Sequence, residues 1–224
     1  MSLSWRIKPF PMMVDPNLKV IEEALPRDFA RYVRSLGDDL IATKGAEPGR
    51  VGYNEASMVV PARRQAETQW FPFPWDDERT GDLYLAVEEA LQQANALFWQ
   101  RDITDFEDMF HYIRYPAAPD HGPDCLCGEG HDTWIPDGHF DWHRDSGDQW
   151  RRAPRKLSLT LVLSDPEEYE GGEFQFFDGG PITVAPRRMG DMIVFPSDLQ
   201  HRVTPVTKGM RRSMVAWAAG PRPR

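Results

Sequence analysis

The chain has 224 residues, a net charge of -9 and a hydrophobic share of 41%, enough for one substantial globular core. The acidic balance argues against a protein that binds nucleic acid or an anionic membrane by charge, because such proteins are basic. No apolar run is long enough for a membrane-spanning helix, and no export signal is recognisable at the N-terminus. Two cysteines one residue apart form no disulfide framework, so we expect a reducing, cytoplasmic location.

The first half of the chain predicts helices and a few strands. Residues 17–25 fit either a strand or a short helix. Pro26 is typical of the first turn of a helix, and Gly37 is the expected stop after Leu36. Residues 41–73 mix Gly, Pro and charged residues without periodicity, which predicts irregular structure that leads into a packed aromatic loop at 70–75.

A second helix is predicted over residues 82–100. Its apolar residues recur at intervals of three and four and form one stripe: Leu83, Val87, Ala90, Leu91, Ala94, Leu97 and Phe98.

From about residue 106 the hydrophobic period changes to two, which is typical of strands. Residues 110–115 predict a strand, and an irregular stretch over 116–137 follows it. Further strands are predicted over 139–145, 157–164, 173–177, 182–185, 191–195, 201–206 and 213–219. Many short strands predict a mainly β fold with flanking helices (α+β), in which a jelly-roll core carries the helices. We expect a single domain over 1–224, with helical support and first strands in 1–105 and the jelly roll in 106–220.

Two His-x-Asp pairs follow each other in one predicted strand: His139 with Asp141, and His143 with Asp145. In a regular strand residues i and i+2 share a face, so each pair delivers an imidazole and a carboxylate to one place. His201, in a distant predicted strand, would complete the two-histidine, one-carboxylate set that holds non-haem Fe(II) with open coordination positions. Geometry alone permits either pair, because all four side chains would share one face.

A candidate anion anchor follows His201. Arg211 offers a planar fork that binds a carboxylate through two hydrogen bonds, and the hydroxyl of Ser213 can add a third. A dicarboxylate that chelates iron at one end needs such an anchor at the other.

This ordered series resembles the prolyl 4-hydroxylase-like Fe(II)/2-oxoglutarate dioxygenases over about residues 110–217. Residues 140–145 (FDWHRD) resemble the aromatic-x-x-His-x-Asp motif, and 171–174 (GGEF) are similar to the family's Gly-Gly turn. Residues 190–196 (GDMIVFP), 201–206 (HRVTPV) and 209–211 (GMR) resemble its C-terminal block. The resemblance implies a double-stranded β-helix that uses Fe(II), 2-oxoglutarate and O2, with ascorbate as an optional addition.

The resemblance also implies roles for single residues. His143, Asp145 and His201 would be the catalytic metal ligands, and Arg211 would bind the distal carboxylate of 2-oxoglutarate. His139 and Asp141 then become neighbours of the metal site or solvated residues near its rim.

The chain departs from the family pattern in two places. Phe140 stands where a tyrosine is common, so a hydroxyl that could touch the cofactor is missing there. Tyr112 or Tyr115 could supply one; they face opposite ways in a regular strand, and we prefer Tyr115. The second departure is the long stretch 116–137, which we interpret as a substrate lid.

The reaction implied by the resemblance is hydroxylation of an unactivated C–H bond, with release of succinate and CO2. The substrate would be a prolyl residue, an amino acid or another small carboxylate-bearing molecule, either free or peptidyl. Halogenation is disfavoured because Asp145 fills the position that a halide would need. No nucleic-acid or membrane partner is expected, and the oligomeric state is left open.

Two rival functions use the same fold differently. A zinc hydrolase could employ the same three ligands, but Arg211 and Ser213 would then have no role. A jelly-roll module that binds a small ligand would leave the histidines as structural residues.

Three further groups have plainer interpretations. One group could bind zinc, but its spacing disfavours a zinc site and predicts a loop: His121, Cys125, Cys127 and His131. A second, basic group fits a solvated turn better than a site that binds a substrate carboxylate: Arg151, Arg152, Arg155 and Lys156. A core position is favoured over a place in the substrate wall for Trp142, Trp150 and Trp217.

Overall fold

The computed structural model describes residues 17–52, 57–118, 137–146 and 155–221. The helices in these ranges are α1 (Arg27–Lys44) and α2 (Gly81–Ala94). The strands are β1 (Lys19–Ile21), β2 (Glu47–Pro48), β3 (Arg64–Gln65), β4 (Glu67–Phe71), β5 (Asp105–Phe106), β6 (Phe110–Pro116), β7 (His139–His143), β8 (Arg155–Val162), β9 (Tyr169–Gly171), β10 (Phe174–Phe177), β11 (Thr183–Val184), β12 (Met192–Pro196), β13 (Gln200–Val203) and β14 (Val206–Ala219).

The strands form two antiparallel sheets. The larger sheet has the order β1-β12-β8-β14-β6-β4-β2, and β5 and β9 also pair with β14. The smaller sheet has the order β11-β10-β13-β7-β3. Several neighbours in each sheet, such as β7 and β13, are far apart in the chain, which is how a jelly roll brings distant residues together.

The larger sheet is buried on both faces, and β8 shows how. Leu157, Leu159 and Leu161 belong to a core cluster that includes the helices, whereas Val162 belongs to a second cluster shared with the smaller sheet. This alternation follows from the period of two in a strand. The mainly β fold with helices packed on a jelly-roll core is therefore confirmed.

Helix α1 does not stop at Gly37, and that prediction was wrong. The helix runs on to Lys44 and ends at Gly45, whose positive φ of 87° is a backbone conformation that glycine adopts without steric cost. Gly37 lies against Tyr112: a Cβ built there would come within 2.6 Å of the tyrosine ring. Gly37 therefore provides room for an aromatic ring of the sheet.

Helix α2 confirms most of the predicted stripe, but not its end. The residues of the stripe up to Ala94 are buried as expected, whereas Leu97 and Phe98 are 61% and 43% exposed. These two residues lie in a π-helical turn, Asn95–Trp99, whose wider winding takes the stripe off the core.

Residues 41–73 contain three strands, so the expectation of irregular structure was wrong. Strand β4 pairs with β6 along its whole length, from Glu67 opposite Arg114 to Phe71 opposite Phe110. Its buried positions do not alternate, since Thr68 and Gln69 are both buried. A strand of this kind shows no period-two signal.

No helix in the described part of the chain is both long and apolar enough to cross a membrane.

Candidate metal centre and its two cavities

His143, Asp145 and His201 meet at one point between the two sheets. His143 and His201 are paired opposite each other on β7 and β13, and Asp145 follows β7 by two residues. The His143 Nε2 lies 3.7 Å from Asp145 Oδ1, and the His201 Nε2 lies 3.6 Å from Asp145 Oδ2. The three ligand atoms all lie within 4.8 Å of one another.

Each of the two imidazoles is oriented by a hydrogen bond to a backbone carbonyl. The Nδ1 of His143 lies 2.8 Å from the carbonyl oxygen of Asp141, and that of His201 lies 2.9 Å from the carbonyl oxygen of Leu199. Because a carbonyl only accepts, each Nδ1 carries the hydrogen. The Nε2 of each ring is thus left with a lone pair directed at Asp145.

Electrostatics keep this cluster in the protonation state that binds metal. Burial, followed by the positive charge of a protonated His201, lowers the pKa of His143 to about 3. Burial alone would raise the pKa of Asp145, but the neighbouring His201 and His143 outweigh it and lower the pKa to about 2. At neutral pH the centre therefore offers a neutral imidazole and an ionised carboxylate.

A bulge in β7 decides between the two His-x-Asp pairs. Opposite β13, the step from His201 to Val203 spans two residues, whereas the matching step from His143 to Phe140 spans three. The expectation that both pairs share a face was therefore wrong. Asp141 approaches the Nε of Arg63 at 3.4 Å and does not join the cluster around His143.

Phe140 forms a layer behind the metal cluster. Its ring stacks on His143 with centroids 3.5 Å apart, and the guanidinium of Arg64 lies 4.5 Å from the same ring. In the family that the sequence resembles, a tyrosine is common at this position. Phe140 stacks on His143 there and offers no hydroxyl.

An inner cavity extends from the cluster to Arg211, a buried arginine that is 4% exposed. Its Nη1 donates a hydrogen bond to the Ser213 hydroxyl at 3.1 Å, and it makes no ion pair within the described residues. A Cβ on Gly172, whose φ is +59°, would lie 3.1 Å from Arg211 Cδ. The Gly-Gly turn therefore gives the arginine its room.

The two tyrosines of β6 face opposite ways, as expected. Tyr115 lines the inner cavity, with the Arg211 guanidinium 5.5 Å from its ring. Tyr112 lies on the helix side and its hydroxyl donates to Asp38 at 2.8 Å. Only Tyr115 can reach a molecule that occupies the inner cavity.

An outer cleft also borders the metal cluster, and five of the described residues line both spaces: Arg64, Phe140, His143, Asp145 and Trp217. Arg64 and His111, which line the outer cleft, were missed in the sequence. Arg64 sits in a segment read as irregular, and His111 in a strand whose inward face was not assigned. Trp217 is half-buried and borders both cavities, so the favoured core position describes it only in part.

Arg155 does not lie in a solvated turn, contrary to expectation. It begins β8, forms an ion pair with Glu107, and places its guanidinium 3.9 Å from the Trp217 ring. Lys156, the next member of the predicted basic cluster, also lies in β8 rather than in a turn. Arg151 and Arg152 lie outside the described residues, as do Trp150, both cysteines, His121, His131 and most of the stretch 116–137.

Comparison with known proteins agrees with this geometry. Residues 132–219 match the model of the 2OG-Fe(II) oxygenase superfamily. PKHD-type hydroxylases of Acidovorax ebreus and Teredinibacter turnerae are 48% identical over 63 residues and 41% identical over 61 residues. Each match covers 27% of this chain and 27% of the relative.

Similar solved structures cover most of the chain. A Pseudomonas putida prolyl-4-hydroxylase has a TM-score of 0.66 at 21% identity, covering 91% of this chain and 92% of that one. A Trichoplax adhaerens prolyl hydroxylase, in complex with a hypoxia inducible factor peptide fragment, has a TM-score of 0.70 at 15% identity, covering 91% and 84%. At these identities the likeness establishes the fold.

Proposed function

We propose that this chain, which belongs to the 2OG-Fe(II) oxygenase superfamily through residues 132–219, is an Fe(II)- and 2-oxoglutarate-dependent hydroxylase. The observation that carries the proposal is the pairing of two features in one cavity. A two-histidine, one-carboxylate cluster stands at one end, and a buried arginine without a carboxylate partner among the described residues stands at the other.

The cluster fits a metal ion. Two donors about 2.1 Å from one ion lie no more than about 4.2 Å apart. The Asp145 oxygens lie 3.7 and 3.6 Å from the two Nε2 atoms, and all three ligand atoms lie within 4.8 Å of one another, so a small inward shift of the side chains would bring the set onto one ion. We assign His143, Asp145 and His201 as the ligands. Two imidazoles and one carboxylate on one face are the donor set that suits Fe(II) with positions left open for other ligands.

The inner cavity fits 2-oxoglutarate. Arg211 would hold the distal carboxylate through its fork, with Ser213 adding a hydrogen bond. Tyr115 lies beside Arg211 and is our candidate for a further hydroxyl contact. The metal and cosubstrate supply the oxidising chemistry, in which 2-oxoglutarate and O2 are consumed and succinate and CO2 are released.

The protein's own contribution is orientation and exclusion of water. Backbone carbonyls keep both Nε2 atoms directed at the cluster. The Phe140 ring closes the side of His143. The outer cleft would present the substrate C–H bond to the open positions of the metal, while the inner cavity holds the cosubstrate.

We base the proposed substrate class on the names of the similar proteins. Their printed names are PKHD-type hydroxylase and prolyl-4-hydroxylase, which favours a prolyl residue over a free amino acid or another small carboxylate-bearing molecule. We also propose a cytoplasmic protein that folds as one domain, with ascorbate as an optional reductant.

A zinc hydrolase would use the same three ligands, and a binding module would use none. Neither accounts for Arg211, because a buried guanidinium with no carboxylate partner is costly unless an anion is bound. The proposal is tested by succinate formation from 2-oxoglutarate with added Fe(II), in the presence of prolyl peptides and free proline. Hydrolytic activity with Zn²⁺ and no consumption of 2-oxoglutarate under any condition would contradict it.

A further inference from the structure

Three buried polar atoms without a hydrogen-bond partner lie around the outer cleft. They are Arg64 Nε, His111 Nδ1 and Trp217 Nε1, and only one other described side-chain atom, the Tyr169 hydroxyl, is in the same condition. Buried polar atoms are almost always paired in folded proteins, so three in one cleft require an explanation. Each of the three atoms has almost no contact with solvent, so a ligand group would provide the missing partners by displacing side chains that cover the floor of the cleft.

Arg64 is the strongest member of this group. Among the described residues only Arg64 and Arg211 are arginines with less than 9% exposure, at 8% and 4%, and neither has a carboxylate partner there. The half-buried Arg114 pairs with Glu67, and Arg155 pairs with Glu107. Two other half-buried arginines, Arg101 and Arg202, donate to the Lys156 carbonyl oxygen and to Gln175 instead. Arg64 and Arg211 are therefore set apart by the depth of their burial, at which an uncompensated charge is most costly.

The Arg64 side chain is held in place before any ligand arrives. Its Nη1 donates to the Arg50 carbonyl oxygen at 2.9 Å, and the guanidinium stacks on the Phe140 ring. Gly49 makes room on the other side, since a Cβ there would lie 2.8 Å from Arg64 Nε. A pre-positioned guanidinium loses little side-chain freedom on binding, which favours recognition of a planar anion.

The chemistry of the three groups selects an acceptor. Arginine and the tryptophan N–H can only donate, so the group that satisfies them must accept hydrogen bonds. Burial and the charges of Arg64 and Arg155 hold the pKa of His111 well below its usual value, so that this imidazole is neutral. The cleft floor therefore offers a positive charge and N–H donors to the ligand, and a carboxylate, which is negative and accepts hydrogen bonds, suits both.

The position of Arg64 connects this anion site to the metal centre. Phe140 contacts both, with its ring centroid 4.5 Å from the Arg64 guanidinium and 3.5 Å from the His143 ring centroid. Trp217 borders both cavities. An anion held by Arg64 would thus lie close to a proposed metal ligand.

We propose that Arg64, assisted by Trp217 and His111, binds a carboxylate of the substrate in the outer cleft, so that this hydroxylase acts on an anionic substrate. That the bound anion is a substrate rests on the proposed function, whereas the anion site itself does not. The carboxylate belongs either to a small acid or to an acidic residue beside the modified position of a peptide.

The first test is titration of the ¹⁵N-labelled protein with acetate, followed through the indole N–H signal of Trp217, which Trp217→Phe assigns. Acetate is expected to shift this signal saturably with a Kd on the order of 1–10 mM, and acetamide is expected to leave it unmoved. The inference is overturned if acetate and acetamide act alike on the wild-type signal.

Three variants sharpen this titration. Arg64→Gln is expected to weaken acetate binding at Trp217 about tenfold or more, and Arg64→Lys by only a few-fold because the charge stays. Arg63→Gln removes a neighbouring charge that already faces Asp141, and it should change the Kd less than about twofold. Equal effects of Arg63→Gln and Arg64→Gln would overturn the assignment to Arg64, as would an undiminished response in Arg64→Gln.

A second arm distinguishes the source of the carboxylate by turnover. Free L-proline is compared with L-prolinamide, and a capped Pro-Asp peptide with the capped Pro-Asn peptide. The pair in which the acid is preferred identifies the source, and Arg64→Gln should abolish that preference. A preference that survives in Arg64→Gln counts against the inference. No consumption of 2-oxoglutarate, with the acetate response intact, would instead sink the proposed function.

Discussion

The Cα of Gly37 in α1 lies against the ring of Tyr112 in β6, so closely that a Cβ there would come within 2.6 Å of three ring carbons. This contact joins the longer helix to the larger sheet. Gly37→Ala should therefore lower the free energy of unfolding by about 1–3 kcal/mol, although alanine is the better helix former. Urea unfolding of the two proteins checks the value.

Gly81→Ala is the matched control for that substitution. Gly81 begins α2 with a helical φ of -54°, and nothing lies within 4 Å of a Cβ built there. Its replacement should be neutral or stabilise by about 0.4–1 kcal/mol. If both variants behave alike, the Tyr112 contact is not what requires glycine at position 37.

The metal centre gives a prediction that separates the two His-x-Asp pairs. His143→Ala removes a proposed ligand and should weaken Fe(II) binding by more than about 100-fold. Removing a residue that only hydrogen-bonds a ligand already costs about 10–100-fold in metal affinity. His139→Ala should change it little, because His139 hydrogen-bonds the carbonyl oxygen of Asp137 and lies outside the cluster. Anaerobic calorimetric titration measures both. The reverse ranking would mean that the wrong pair was chosen.

The cosubstrate anchor gives a prediction with an adjacent control. Arg211→Gln should raise the Kd for 2-oxoglutarate by about 10–100-fold, because charged hydrogen bonds to a carboxylate are lost. Arg212, the next residue, faces the helix side and pairs with Asp38. Arg212→Gln should leave the affinity unchanged and affect stability only. Equal losses of affinity in both variants would remove Arg211 from its assigned role.

Burial of His111 predicts a pH dependence of stability. Its pKa lies below the ordinary value of about 6.5 in the folded protein and near that value in the unfolded chain. The unfolded state therefore binds the proton first, and the stability from the neutral ring is complete above about pH 6.5 and declines as the pH falls. His143, whose pKa is lowered to about 3, contributes with the same sign.

His111→Gln should accordingly flatten the decline between pH 6.5 and 5.5 by up to about 1 kcal/mol relative to the metal-free wild type. Urea unfolding at the two pH values in low-salt buffer measures the difference. An unchanged slope in the variant would show that His111 titrates normally in the folded protein.

The chemistry of the site was more predictable from the sequence than its surroundings. The ligand residues carry types and spacings that few other functions share, so His143, His201 and Arg211 could be singled out by pattern. The bulge in β7 could not, because it depends on pairing with β13, a strand about 60 residues away. Arg64 was invisible for a similar reason: its burial is created by Gly49 and Phe140, which come from two other segments.

One strand fixes the length of the whole site. Arg211, Ser213, Val215 and Trp217 are alternate residues of β14, and all four line the inner cavity. At about 3.3 Å per residue the Cα atoms of Arg211 and Trp217 lie about 20 Å apart. This spacing is set by covalent geometry and works as a ruler between the proposed cosubstrate anchor and the proposed substrate cleft. Inserting or deleting one residue in this run would turn one end of the ruler to the opposite face of the sheet, so the two binding tasks would be separated at once.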